Sequence, residues 1–187
     1  MRKRLKSTTV VLFMALFVLA LASCGGGGEK EAAEVETLDS GFKQVETMDM
    51  AFQWKVDGDT LEVILESPES GWVAAGFDPD SIMKGANFII GYVQNGEPQV
   101  KDHWGNSPIK HSDDEELGGS NDVTVIEGSE DENGTMLHFS IPLDSGDEYD
   151  KPLTAGETYK VLLAYSPSDD FVTQHSEDSR GSVEIEL

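Results

Sequence analysis

From Phe42 onward the chain reads as short apolar runs separated by turn-forming clusters, with no sustained helical period. Ala51 to Val56 and Thr60 to Glu66 flank Asp57-Gly58-Asp59, and Leu61, Val63 and Leu65 recur at every second position, which predicts a hairpin. Gly71 to Phe77 and Asn87 to Val93 contain the segments WVAAGF and ANFIIGYV, continuous enough to predict two buried strands joined by a polar connection that carries Met83. Asn95-Gly96 then turns the chain into Gln99 to Trp104. Gly105 to Asn121 is rich in Gly, Ser, Asp and Glu and reads as a long loop. Asp122 to Glu127 and Met136 to Ile141 flank Glu132-Asn133-Gly134 as a further hairpin, which Pro142 ends. Thr158 to Tyr165, with Val161 to Ala164 in succession, reads as a central strand buried on both faces, and Ser182 to Leu187 as a last strand. About nine to eleven short strands at this spacing predict an all-β, antiparallel β-sandwich.

The beginning of the chain has a different pattern. Arg2, Lys3, Arg4 and Lys6 precede an apolar run from Thr8 to Ala22, which predicts a secretory signal over residues 1–23. The run is too short to favour a membrane span. Leu21-Ala22-Ser23-Cys24 resembles the bacterial lipobox, which implies cleavage before Cys24 and lipidation of its thiol. Cys24 is the only cysteine, so it has no disulfide partner. Gly25 to Gly28 and the Glu/Ala-rich residues after them have little to bury, which predicts a flexible tether over 24–40 and one folded domain over 41–187. The expected location is extracytoplasmic, anchored to a bacterial cell membrane through Cys24.

Charge narrows the partners. The formal net charge is −23, and cleavage removes four cations, leaving 9 Lys+Arg against 36 Asp+Glu, a net of −27. Such a surface repels nucleic acid, and it favours basic partners or cations. Most of these acids, including the run Asp113 to Glu116, read as solvating groups, since Asp-Asp-Glu-Glu lacks the alternating spacing of a calcium loop. No Ser/His/Asp arrangement, phosphate-cradling glycine loop or placeable carboxylate pair is present, which predicts a binding or electron-transfer domain without a catalytic site of its own.

Met83 is the unusual residue, because a thioether ordinarily fills a core gap and here it sits among Asp78, Pro79, Asp80, Lys84 and Gly85. Gly71-Trp72-Val73-Ala74-Ala75-Gly76-Phe77, then Met83-Lys84-Gly85-Ala86-Asn87, and later Ala164-Tyr165, His175 and Arg180-Gly181, together resemble the DOMON domain family. The resemblance implies an immunoglobulin-like sandwich that binds haem b or a sugar-like ligand. Haem-binding members are similar to the cytochrome domain of cellobiose dehydrogenase, where a Met and a His ligate the iron axially. The matching positions here are Met83 and His175, with Arg180 a propionate partner by charge. Both ligands fall in loops after apolar strands, and a sandwich could bring them to one end. Trp72, Phe77, Phe88, Trp104, Tyr165 and Phe171 are the aromatics available as porphyrin walls. The implied role is electron transfer with a redox partner supplied in trans. The alternative is a non-redox module for a carbohydrate or other small molecule, with Trp72 or Trp104 stacking on sugar rings. A third reading places a borderline metal at His103 and His111, near Asp102, Asp113 and Asp114. His138 lies inside a predicted strand and reads as structural, and Asn133-Gly134-Thr135 as a hairpin turn.

Overall fold

The computed structural model describes residues 34–187. The signal segment, Cys24 and the glycine run lie outside the described residues. In chain order the strands begin with β1 (Val35–Thr37), β2 (Lys43–Thr47), β3 (Met50–Asp57) and β4 (Thr60–Glu66). β5 (Trp72–Phe77), β6 (Asn87–Gln94), β7 (Glu97–Ser107) and β8 (Lys110–Asp113) follow, then a single helical turn, α1 (Asp114–Leu117). β9 (Thr124–Asp131), β10 (Gly134–Pro142), β11 (Thr158–Ser166) and β12 (Arg180–Glu186) complete the described fold. The first sheet runs β1-β2-β3-β4-β10-β9 and the second β12-β11-β5-β6-β7-β8, with every pairing antiparallel. The predicted all-β antiparallel sandwich is therefore correct, and its strand count is close to the twelve observed.

Period-two alternation places the core between the sheets. Phe52 and Trp54 on β3, Leu61, Val63 and Leu65 on β4, and Leu137 and Phe139 on β10 point inward. They meet Val73, Ala75 and Phe77 on β5, Ile89 on β6, and Val161 and Leu163 on β11. Each large side chain so buried stabilises the fold by about 1.5–3 kcal/mol. Trp54 also donates its indole N–H to the Glu186 carbonyl at 3.0 Å, which joins the first sheet to β12 of the second.

Three sequence expectations change. Gly105 to Asn121 is not one loop, because β7 continues to Ser107 and pairs with β8 before α1 begins. β8 is Lys-His-Ser-Asp, an edge strand held by backbone pairing, so it carries no alternation of apolar side chains to read. β11 is buried on one face only, since Leu162 and Ala164 are half-exposed on its outer side. Val35 to Thr37, read as part of the tether, pairs with Val45, Gln44 and Lys43 of β2 as a short edge strand, so the described fold starts before Gly41.

Candidate ligand cavity on the outer face of the second sheet

β5 and β6 are buried on both faces. Their inward residues join the core, and their outward ones, Trp72, Ala74, Phe88 and Ile90, form the floor of a cavity with Leu162 and Ala164 of β11. The cavity holds about 460 Å³, within the range of small-molecule and cofactor pockets. Phe88 can lie flat over β5 only because residue 76 is glycine, where a Cβ would come within 2.3 Å of the Phe88 ring.

Met83 lines this cavity from the β5–β6 connection. There Ser81 and Lys84 form a two-way backbone bridge, Lys84 N–H to Ser81 O at 2.9 Å and Ser81 N–H to Lys84 O at 3.3 Å, with Ile82 and Met83 at its tip. Ile82 has φ +55°, a left-handed conformation costly for a β-branched residue, and remains 63% exposed. The connection is fastened on both sides. Gly85 N–H donates to Gly105 O at 2.7 Å and Gly105 N–H to Ala86 O at 2.8 Å, an approach that any Cβ at Gly105 would block by striking Met83 O. Lys151 donates to Asp78 O at 2.6 Å and to Asp80 Oδ1 at 2.7 Å, and this lysine holds the Asp80 carboxyl below its ordinary range.

His175 enters from the β11–β12 connection. Trp72 donates its indole N–H to Thr173 O at 3.0 Å and meets the His175 ring edge-on at 6.3 Å. His175 Nδ1 lies 2.9 Å from Ser176 O. A carbonyl can only accept, so Nδ1 carries the hydrogen, and the neutral form of the ring has its lone pair on Nε2. This backbone orientation is the arrangement that metal-ligating histidines use.

Met83, His175 and Arg180 are thus brought to one cavity, but not at one end of the sandwich. Trp72 pairs with Ser166 at one end of β5, and Phe77 pairs with Val161 at the other, so the two connections overhang the sheet from opposite ends, about 17 Å apart along the strand. Of the six aromatics considered as walls, Trp72 and Phe88 line the cavity, and Phe171 packs against the cluster of Trp72, Ala74 and Ile90 and meets Tyr92 at 4.9 Å. Phe77 belongs to the core, Tyr165 packs against it, and Trp104 meets Tyr149 at 6.4 Å. Sequence reasoning missed Ile82, Ile109, Lys160 and Leu162, and it singled out His111 for a metal; all five line the cavity. None of the described lining residues is Asp or Glu, although the chain has 36 acidic residues, and the ionised groups at the rim are Lys160 and Arg180.

His103 and His111 do not gather the carboxylates expected of a metal site. Their Nδ1 atoms are 2.8 Å apart in a hydrogen bond with each other. Asp113 is instead paired with Lys101 and caps α1 by accepting from Glu115 N–H at 3.0 Å. Asp102 precedes His103 in β7 and so faces the opposite side of the sheet. Burial, and then the neighbouring His111, push the His103 pKa down to about 4, while burial lowers that of His111. Both rings are therefore neutral near pH 7. His138 is structural as expected, 2.8 Å from Glu62.

The described residues form a twelve-stranded antiparallel sandwich with an apolar cavity on one outer face. The chain belongs to the DOMON family, whose DOMON domain model matches residues 46–166, a span that includes Met83 and stops before His175 and Arg180. It is 30% identical over 116 residues to mouse DBH-like monooxygenase protein 1, covering 62% of this chain and 18% of that protein. Mouse DBH-like monooxygenase protein 2 is 23% identical over 160 residues, covering 86% of this chain and 25% of the relative. The chain therefore spans a quarter or less of the length of these curated relatives. Among solved structures, the cytochrome domain of Myriococcum thermophilum cellobiose dehydrogenase superposes with a TM-score of 0.58 at 14% identity, over 85% of this chain and 90% of that one. The cytochrome b domain of pyranose dehydrogenase from Coprinopsis cinerea gives 0.55 at 14% identity, over 82% and 88%. At such identity these likenesses establish the fold.

Proposed function

We propose that the cavity holds haem b between Met83 and His175 and that the protein serves as an electron-transfer module. The observation that carries this reading is the cavity lining: an apolar floor, a thioether and an oriented imidazole facing one space, and cations in place of acids at the rim. An apolar ligand with anionic groups suits that lining better than a neutral sugar, because Trp72 is only 4% exposed and is built into the floor. Haem bound between a thioether and an imidazole would be six-coordinate with a raised reduction potential, which suits one-electron transfer. Ser176 O fixes the His175 tautomer, and the bridged turn and Lys151 hold Met83 in place. Arg180 and Lys160 would receive propionate charge, and Trp72, Phe88 and Ile90 exclude water from the interior of the site. The cytochrome domains that share the fold support the reading.

In the same proposal, the protein is an extracytoplasmic lipoprotein tethered through Cys24, and catalysis belongs to a partner in trans. The acidic surface would favour a basic redox partner, so association should slow as salt rises. Titration of the full chain with haemin tests the cofactor. The expected result is saturable binding of one equivalent that His175→Ala abolishes. Absence of saturable binding would remove the haem reading and leave a non-redox ligand, with glycan binding as the next assay.

A further inference from the structure

Behind the Met83 connection lies a second cluster, separate from the cavity. One oxygen each from Asp102 on β7, Asp114 on α1 and Asp150 in the β10–β11 connection lie within 4.8 Å of one another. Asp102 is 1% exposed and Asp114 0%, yet neither oxygen of either carboxylate has a hydrogen-bond partner among the described residues. Asn87, at the start of β6, donates its amide N–H to Asp150, which leaves its own buried Oδ1 unpartnered as well. Ser145 Oγ donates to the other Asp150 oxygen at 2.7 Å and fixes that side chain.

Five buried oxygens without donors, brought together from segments distant in sequence, are a costly arrangement for a folded protein unless something with positive charge satisfies them. Among the described residues, no Lys, Arg or His donates to these three carboxylates. We propose that Asp102, Asp114 and Asp150, with Asn87 Oδ1, form a calcium-binding site. The donor set is entirely oxygen, which selects a hard cation over zinc or copper. One oxygen of each acid lies within 4.8 Å of the other two, close enough for all three to reach a single ion at a Ca–O distance of about 2.4 Å. Magnesium, at about 2.1 Å and reluctant to shed water, fits a dry carboxylate cluster less well.

The site would brace the cavity from behind. Asp150 is followed by Lys151, which clamps Asp78 and Asp80 on either side of Pro79, and Asn87 follows the segment that Gly105 fastens. The inference does not depend on the identity of the cavity ligand.

The test is thermal unfolding of the full chain in EDTA and in rising calcium chloride. At calcium a hundredfold above its Kd, the Tm should rise by about 5–10 °C. The same concentration of magnesium should give a smaller rise. Asp102→Asn keeps the side-chain size and removes one charge, and it should fold in EDTA while losing the calcium response. If that variant does not fold, Asp150→Asn and terbium luminescence of the wild-type chain, sensitised by nearby Trp104 and Tyr149, decide the matter. A wild-type Tm indifferent to calcium, with no sensitised terbium emission, overturns the proposal. So does a calcium response retained in Asp102→Asn or Asp150→Asn, since the ion would then be held by acids elsewhere on the surface.

Discussion

The outer faces of the two sheets share one backbone architecture and differ in everything above it. On the first sheet, Gln53 and Lys55 of β3, Glu62 of β4 and His138 and Ser140 of β10 face outward, and Glu62 pairs with Lys55 and His138 at 2.8 Å each. On the second, Trp72, Ala74, Phe88, Ile90, Leu162 and Ala164 occupy the equivalent positions, and two long connections cover them. The first sheet demonstrates that the core needs only one apolar face per sheet. The second apolar face is therefore surplus to folding, and in a chain this acidic the acid-free cavity above it supports the proposed ligand site.

The comparison can be broken most forcefully at the cavity walls. Met83→Leu and His175→Ala should each weaken haem binding by more than about a hundredfold, beyond the effect of losing an outer-shell partner. Met83→Leu should meanwhile change unfolding stability by less than about 1.5 kcal/mol, because the swap conserves volume. Haemin titration and urea unfolding of the same samples separate the two effects, and unchanged haem binding in Met83→Leu would reduce Met83 to packing. Next in size is Gly76→Val. The new side chain meets the Phe88 ring and should cost about 1–3 kcal/mol while pushing Phe88 into the cavity. Ala51→Val, on the outer side of the first sheet, should stay within about 0.5 kcal/mol.

Lys151→Met comes third. It frees Asp78 and Asp80, so the Met83 connection loosens and haem should dissociate roughly tenfold faster or less, with a stability change under about 1 kcal/mol. Stopped-flow transfer of haem to an acceptor globin would measure it. A similarly small effect belongs to Glu62 on the polar face. Its hydrogen bond from Lys55 holds the carboxyl below the ordinary value of 4.5. A depressed folded-state pKa stabilises above the unfolded value and loses that contribution as pH falls through the folded one. Glu62→Gln should therefore cost under about 1 kcal/mol at neutral pH, and its Tm should converge with wild type in acid.

The sequence carried the sandwich because alternation in β3, β4 and β10 is a local signal that any buried face imposes. The doubly apolar runs of β5 and β6 were equally legible, and they bound the site. Met83 stood out for its polar setting, whereas His175 was found through the family resemblance and Arg180 was given its role by charge. What could not be read depends on tertiary placement. Asp113 to Glu116 looks like any solvated acidic run, yet the fold buries Asp113 and Asp114 beside residues far along the chain. β8 is polar because an edge strand is held by its backbone, and Val35 to Thr37 is shorter still and exposed throughout. The expectation that Met83 and His175 sit at one end of the sandwich failed because the cavity lies across β5 rather than beyond its tip.

The most direct measurement is the absorption spectrum of the haemin-reconstituted full chain before and after dithionite. The account predicts a Soret band that sharpens on reduction with resolved α and β bands, as expected of a six-coordinate low-spin haem, and loss of that signature in Met83→Leu. A protein that takes up no haem, or one whose reduced spectrum is high-spin and indifferent to Met83, would contradict it.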